Sequence, residues 1–584
     1  MVDPLTRLAV AFGTDKFGYH DYTPNYFALF EHLRDRPVRL LEIGVGGYRD
    51  ADRGGESLQM WRDFFPRGRI TGIDIQQKDM DLGERVRILQ GSQVDADFLN
   101  DLVRDHGPFD IIIDDGSHRN EHVIESFEIL FPTLAPGGIY VAEDLQTAFF
   151  PRFGGSLEMT APNSVAYFAE LFAGDMGARD IAAIERFHNM VALHKAGPGR
   201  APRAPCSLPA ENARVLALAG ADLPGWLEGG AKVAKGARTL KGLKKQLADD
   251  GPFDLVIDAG GKTGAKRLAA ALPLLEDGAR YLLQGTPERT LRALFIAVDH
   301  REIAVFFPEA EPHPLAKRTL AIARDAEGVL IHKGANDYPS NFDFDFGHPL
   351  ALANFDVMER ILLEQGRESG LLLFADIMTR AGDEGRARKM LEKLDESGAG
   401  SRSYFNVAVR RRKLDGDWQG ALSLLKQAVQ RYPGDYRIRS QLGGVLARER
   451  EWDQAVAEFR RGIDLAPRDP LLHIQLANAL GQLGEDAAAV EAARTAVELA
   501  PDHAGHHEQL GRLLANAGRF DQAVTVLRRA LELNGESPNA YRQLSRALFE
   551  LERTKEAIEA LENALRLRPD NPEYKRWQER LNIA

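Results

Sequence analysis

The chain is 584 residues long, enough for about four domains at roughly 150 residues each, and its 44% hydrophobic and 27% charged residues exclude collagen-like and low-complexity classes. A net charge of −12 argues against wrapping nucleic acid by neutralising phosphates, and the single cysteine, Cys206, excludes an intrachain disulfide and suits a reducing compartment. No run approaches ~18 uninterrupted apolar residues and residues 1–18 lack an apolar stretch with a cleavage site, so a cytoplasmic protein without a membrane span is expected.

In chain order, Arg39–Gly47 (RLLEIGVGG) predicts a short strand running into a Gly-rich turn, and Glu56–Phe65 a helix. Arg69–Ile75 predicts a second strand, Phe109–His118 a third, Glu121–Leu130 a helix and Gly137–Gln146 a fourth strand. Strands that are continuous apolar runs, alternating with helices, predict a doubly wound α/β fold with a parallel sheet covered on both faces. Ligands bind such sheets beyond the carboxyl ends of the strands.

The polar clusters lie at those ends. Gly44, Gly46 and Gly47 let a backbone turn approach a ligand without Cβ interference. Asp74, ending the second strand, is placed to accept hydrogen bonds from ribose hydroxyls. A Gly-rich turn alone does not separate a dinucleotide from S-adenosylmethionine. Glu42 just before it suits a cationic ligand better than a pyrophosphate, which favours the sulfonium; surface capping by Glu42 and Asp74 is the plainer alternative. Asp115, Glu143 and Asp144 converge from two adjacent strand ends, where a hard cation such as Mg²⁺ or Mn²⁺ would relieve their repulsion. His118, three residues past Asp115, is placed to take a proton from a hydroxyl beside that cation; the alternative is that it caps a helix among solvated acids.

GTDK (Gly13–Lys16), YTPNY (Tyr22–Tyr26), LLEIGVGGY, GGESLQMW (Gly54–Trp61), PRGRITGIDI, DDGSHRNEHV, LFPTLAPGGIYVAEDLQT (Leu130–Thr147) and FHNMVALHK (Phe187–Lys195) follow in this order. Together they resemble the metal-dependent sugar O-methyltransferases of macrolide biosynthesis, over about residues 5–196. The resemblance implies a class I methyltransferase fold using S-adenosylmethionine and Mg²⁺. It implies that Asp115, Glu143 and Asp144 bind metal and that His118 is the general base. By the same resemblance, Glu42, Ile43, Gly44, Val45, Gly46, Gly47, Tyr48, Ser57, Asp74, Gln93 and Asp115 surround the cofactor. Residues 147–165 would shape a pocket for a sugar-containing acceptor, with Phe149, Phe150 and Phe153 able to stack on a sugar face. A homo-oligomer is left open.

The middle third echoes the first. Asp250–Asp258 (DGPFDLVID) repeats Asp105–Asp114 (DHGPFDIIID), and VLIHK (Val329–Lys333) repeats VALHK (Val191–Lys195). Asp115 then matches Ala259, His118 matches Lys262, Glu143 matches Gln284 and Asp144 matches Gly285. We expect a degenerate methyltransferase-like α/β unit at 205–335, against the alternative of an unrelated insert, and a linker at 336–366.

In the last third, Ala387, Ala421, Ala455, Ala489, Ala523 and Ala557 recur every 34 residues, as do Pro433, Pro467, Pro501 and Pro569, with Gly535 in the remaining slot. Leu442, Leu476, Leu510 and Leu544 precede small residues at the same period. Small residues let paired helices approach, and proline stops one unit before the next. The pattern resembles the tetratricopeptide repeat family, an all-α solenoid that binds proteins or peptides; a pure packing role is the alternative. The expected organisation is a methyltransferase domain at 1–200, the degenerate unit at 205–335, the linker, and repeats with a cap helix at 367–584. The function expected is O-methylation of a sugar hydroxyl with a partner recruited by the repeats. A non-sugar hydroxyl of a secondary metabolite, or a scaffold with a vestigial enzyme domain, are the competing readings.

Overall fold

A computed structural model describes the chain except residues 1, 19, 48–49, 157–158, 160–161, 198–212, 225–226, 228–230, 299–317, 335–348, 397–400 and 584. Tyr48, Cys206 and most of the expected linker's first half therefore lie outside the described residues. The chain forms two compact units, Met1–Met390 and Leu391–Ala584.

The first unit begins with α1 (Pro4–Phe12) and α2 (Thr23–Phe30), then alternates β1 (Arg39–Ile43), α3 (Glu56–Phe64), β2 (Arg69–Asp74), β3 (Val86–Gln90), α4 (Ala96–His106), β4 (Ile111–Asp114), α5 (Asn120–Leu130) and β5 (Ile139–Ala142). An αβ tail follows: α6 (Ser164–Ala173), β6 (Ile181–Phe187) and β7 (Met190–Lys195). The second α/β stretch holds β8 (Arg214–Ala217), β9 (Lys232–Lys235), α7 (Leu240–Asp250), β10 (Leu255–Asp258), α8 (Gly264–Ala271), β11 (Arg280–Leu283), α9 (Glu288–Ala297), β12 (Thr319–Asp325) and β13 (Gly328–Lys333).

All thirteen strands make one sheet, ordered β3-β2-β1-β4-β5-β7-β6-β12-β13-β11-β10-β8-β9. Read outward from the central β6–β12 pair, the order is the same in both directions, except that β3 has no counterpart among the described residues. β1–β5 are parallel to one another and β6 and β7 antiparallel, as are β12 and β13 opposite. Across the junction Ile184 pairs with Arg324, Glu185 with Ala323 and Arg186 with Ile322. The shift that carries VALHK onto VLIHK also carries Glu185 onto Ala323, so the pair forms about a local twofold axis. Two expected α/β units thus share one continuous sheet, each closing the other's edge. The inner strands β4, β5 and β10 are buried at every residue, whereas the outer β3 and β9 have no buried residue.

Some of the stretch expected as a linker is a helix. α10 (Pro349–Gln365) and α11 (Glu368–Ala381) form a hairpin whose apolar faces, including Phe355, Met358, Leu362, Leu371 and Phe374, are buried, and both pack on α1. The spacing of those residues is helical, and the acidic and aromatic character of 336–366 hid it.

In the second unit, helices begin at Tyr436, Pro470, Ala504, Pro538 and Pro572, and their partners at Trp418, Trp452, Asp486, Phe520 and Thr554, both at the 34-residue period. The small column is a close-approach column. A Cβ on Gly443 would stand 2.5 Å from the Phe459 ring, and one on Gly511 2.5 Å from Leu527. No helix among the described residues is long and apolar enough to cross a membrane.

Candidate active site at the carboxyl end of the first half-sheet

β1 turns at Gly44, whose φ of +93° and missing Cβ are both needed: a Cβ would lie 2.1 Å from the Asp115 carbonyl oxygen. The loops after β1 and β4 therefore touch. Glu42 is fully buried; its Oε2 accepts from Ser57 Oγ at 2.9 Å, while Oε1 accepts no hydrogen bond and lies 3.4 Å from Lys16 Nζ. Burial pushes the Glu42 carboxyl up to about 7, against the pull of Lys16. Asp74 braces the turn by accepting from Val45 N at 3.1 Å and Gln76 N at 2.8 Å. Gln93 is buried, donating to Asp114 at 3.1 Å and accepting from Ser117 N at 2.8 Å, so it ties the loop after β4 to the strand.

Asp115, His118 and Asp144 each offer one ligand atom, all within 4.8 Å of one another. His118 Nε2 lies 3.6 Å from Asp144 Oδ2 and 3.9 Å from Asp115 Oδ1. His118 and Asp144 both adopt left-handed backbone conformations, φ +55° and +54°, uncommon for residues other than glycine though more accessible to aspartate and histidine than to most. Burial opposes the Asp144 charge, but His20, His118 and bonds from Tyr22 and Gln146 outweigh it and hold the carboxyl down at about 2.

Glu143 stands outside this group, although the sequence suggested three carboxylates at one cation. Its Oε1 accepts from Lys16 Nζ at 2.7 Å and from the Tyr26 hydroxyl. Lys16 also donates to Asp115 Oδ2 at 2.8 Å. Burial disfavours the ammonium, yet Asp115, Glu143 and Glu42 together hold its pKa well above the usual value. Lysine thus relieves some of the repulsion that sequence reasoning gave wholly to a metal.

Lys16, His20, Tyr22 and Tyr26 are the functional neighbours that carry no mark in the sequence beyond the GTDK and YTPNY segments. Tyr22 donates to Asp144 Oδ1 at 2.7 Å, and His20 Nδ1 lies 3.6 Å from the same oxygen. On the acceptor side, Phe149 belongs to the hydrophobic core and is 1% exposed, so it has no face for a sugar. Phe150 and Phe153 are partly exposed, with the Arg152 guanidinium over the Phe153 ring. Asn120 and Asn163 fasten this loop: Asn120 donates to Phe153 O at 3.1 Å and accepts from Ser164 N at 2.7 Å, and Asn163 donates to Ala148 O at 2.7 Å.

The donor set fits a hard divalent cation: two carboxylates with an imidazole beside them, and Glu143 held behind by Lys16. The glycine cradle with the buried, unbonded Glu42 Oε1 fits a cationic ligand that brings its own hydrogen-bond donors.

Comparison with known proteins agrees with this anatomy. Residues 51–145 match the methyltransferase-domain family, and residues 414–473, 514–581 and 474–538 match two tetratricopeptide-repeat families. The chain carries a methyltransferase domain followed by a tetratricopeptide array. Its N-terminal segment is 52% identical over 155 residues to mycinamicin VI 2''-O-methyltransferase of Micromonospora griseorubida, covering 26% of this chain and 39% of the relative. It is 46% identical over 173 residues to 8-demethyl-8-alpha-L-rhamnosyl tetracenomycin-C 2'-O-methyltransferase of Streptomyces olivaceus, covering 30% and 46%. The chain spans about two fifths of the length of the curated relatives it matches first. A solved methyltransferase of the mycinamycin pathway, in complex with Mg, SAH and mycinamycin VI, is 42% identical, with 34% of this chain and 57% of that chain covered and a TM-score of 0.31.

Proposed function

We propose that the chain is an S-adenosylmethionine- and divalent-cation-dependent O-methyltransferase acting on a sugar hydroxyl of a glycan, glycolipid or glycosylated product. The observation that carries this is the meeting of Asp115, His118 and Asp144 beside the Gly44 turn and the buried Glu42. The sugar acceptor rests on the relatives, two of which are named for methylating a rhamnosyl product of tetracenomycin type. The repeat array would recruit a protein partner that brings the acceptor.

Asp115 and Asp144 would hold the cation, which supplies a fixed positive charge that acidifies a hydroxyl placed beside it. His118 Nε2, flanked by the two carboxylates, takes the hydroxyl proton. S-adenosylmethionine, when bound, would supply the methyl group to the acceptor oxygen and depart as a neutral thioether. Glu42, oriented by Ser57, and the turn over residues 44–47 would bind and orient the methyl donor, and such positioning would supply much of the rate. Tyr22 and Gln146 fix Asp144, while Lys16 and Tyr26 fix Glu143.

The second half-sheet would be a non-catalytic copy: Ala259, Lys262, Gln284 and Gly285 stand where the first copy has Asp115, His118, Glu143 and Asp144. The test is mass spectrometry of cell sugars with and without the gene. A 14-dalton loss on one sugar when the gene is removed is the expected result; identical profiles, or activity untouched by a chelator, would overturn the reading.

A further inference from the structure

The segment between α1 and α2 has two faces, and its residues divide between them. Lys16, His20 and Tyr22 face the site carboxylates. Gly13, Gly18 and Asp21 face the hairpin α10–α11. A Cβ on Gly13 would meet Ser369 O at 2.6 Å, and one on Gly18 would meet Met358 Sδ at 2.7 Å. Asn354 of α10 donates from Nδ2 to both oxygens of Asp21, each at 2.8 Å. Arg367 at the start of α11 lays its guanidinium over the Phe12 ring at 3.9 Å, donates its backbone N–H to Ala11 O at 3.2 Å and pairs with Asp63 at 3.0 Å.

The segment is therefore clamped. Asp21 sits in a left-handed conformation, φ +53°, and the next residue is Tyr22, whose hydroxyl bonds Asp144. Tyr22 N and Thr23 N both donate to Lys16 O, at 2.9 and 3.2 Å, so moving Asp21 also moves the backbone of Lys16. Asn354 lies one hydrogen bond, one peptide link and one more hydrogen bond from Asp144. Asn354 itself is buried, 9% exposed.

We infer that Asn354 is a positioning residue for the site: the helical hairpin α10–α11 fixes residues 13–18 and 20–22 and, through Tyr22 and Lys16, sets the places of Asp144 and Asp115. This rests on the proposed reading of Asp115 and Asp144 as cation ligands. It makes α10–α11 a working element of the methyltransferase.

The test uses the full chain and three readouts: Mn²⁺ affinity by electron paramagnetic resonance, S-adenosylmethionine affinity by calorimetry, and amide exchange over residues 13–22. Asn354→Asp sets two carboxylates face to face. It should weaken Mn²⁺ binding about tenfold, the scale of losing a residue that orients a ligand. Exchange over 13–22 should rise while the affinity for S-adenosylmethionine stays within about twofold. The swap Asp21→Asn with Asn354→Asp restores a donor opposite an acceptor and should recover most of the loss. Should Asn354→Asp unfold the chain, Asn354→Ser, too short to reach Asp21, takes its place with the same expectations.

Wild-type Mn²⁺ affinity together with unchanged protection in the Asn354 variant would overturn the inference, as would a swap no better than the single variant. If the wild-type chain binds no Mn²⁺, the reading of the site fails instead. The exchange arm then still decides the clamp: unchanged protection of residues 13–22 rejects it, and selective loss there supports it.

Discussion

The two halves of the sheet share a skeleton and differ in chemistry. In each, an aspartate ends the central strand and is bonded by a tyrosine of the next strand: Tyr140 reaches Asp114 at 3.2 Å, and Tyr281 reaches Asp258 at 2.5 Å. In each, an aspartate at the strand's start accepts the backbone N–H of the neighbouring strand, Asp110 from Arg39 at 2.8 Å and Asp254 from Arg214 at 2.7 Å. The halves diverge at the residue after the strand. Asp114 is satisfied by Gln93, Ser126 and Tyr140, leaving Asp115 to point at the site. Asp258 is held by Arg267 and by Gly260 N, and the next residue is Ala259. The strand-end aspartate thus belongs to the scaffold of both halves, whereas the residue after it is an acid, Asp115, in one half and Ala259 in the other.

The sharpest way to break this contrast is to change the matching positions His118 and Lys262 in turn. His118→Ala should cut turnover by about 10²–10⁴, the usual contribution of a general base, while Lys262→Ala at the matching place should leave it within about twofold. A comparable loss from Lys262→Ala would show that the second copy works. Next in size is Lys16→Met, which strands Asp115, Glu143 and Glu42 without their shared cation. Breaking a buried pair from one side costs about 3–5 kcal/mol, read as a lower denaturant midpoint for the first unit. An unchanged midpoint would mean that the acids coexist without help from Lys16.

A third difference is titratable. Burial and the neighbouring Arg280 push the His332 imidazole down to about 4. A histidine depressed in the folded state contributes stability that is present above its ordinary value of about 6.5 and is lost as pH falls toward 4. His332→Gln should flatten that acid-side loss; an unchanged slope would reject it. In the first copy the matching His194 has Glu185 at 2.7 Å, where the second copy has Ala323. The smallest effect is expected at the exposed ion pair between the halves: Arg292→Ala removes its contact with Glu170 at 2.6 Å and should change stability by less than about 1 kcal/mol. By contrast, Phe172 and Phe295 beside it, both buried with ring centres 5.3 Å apart, carry the packing of α6 on α9.

Legibility follows burial. β1, β4 and β5 were readable because parallel strands buried on both faces are continuous apolar runs, and the repeats because a 34-residue period admits few other readings. That Asp115 and Asp144 come close was legible from their places just past adjacent parallel strands, with His118 three residues on from Asp115; that Glu143 turns to Lys16 instead was not. The contribution of Lys16, Tyr22 and Tyr26 was not, because a side chain that reaches a site from a separate loop leaves no periodic trace. The pairing of β6 with β12 was also hidden: an edge strand covered by a second copy has the same pattern as one covered by anything else. The helix at Pro349–Gln365 was missed because its apolar residues follow a polar, aromatic stretch that reads as a bridge.

Two copies of one fold should therefore make a single working site. Calorimetric titration of the full chain with S-adenosylmethionine, with Mg²⁺ present and absent, tests this most directly. The predicted result is one molecule bound per chain, abolished or weakened by changes around Glu42 and untouched by changes around Ala259; two molecules bound per chain, or none, would contradict it.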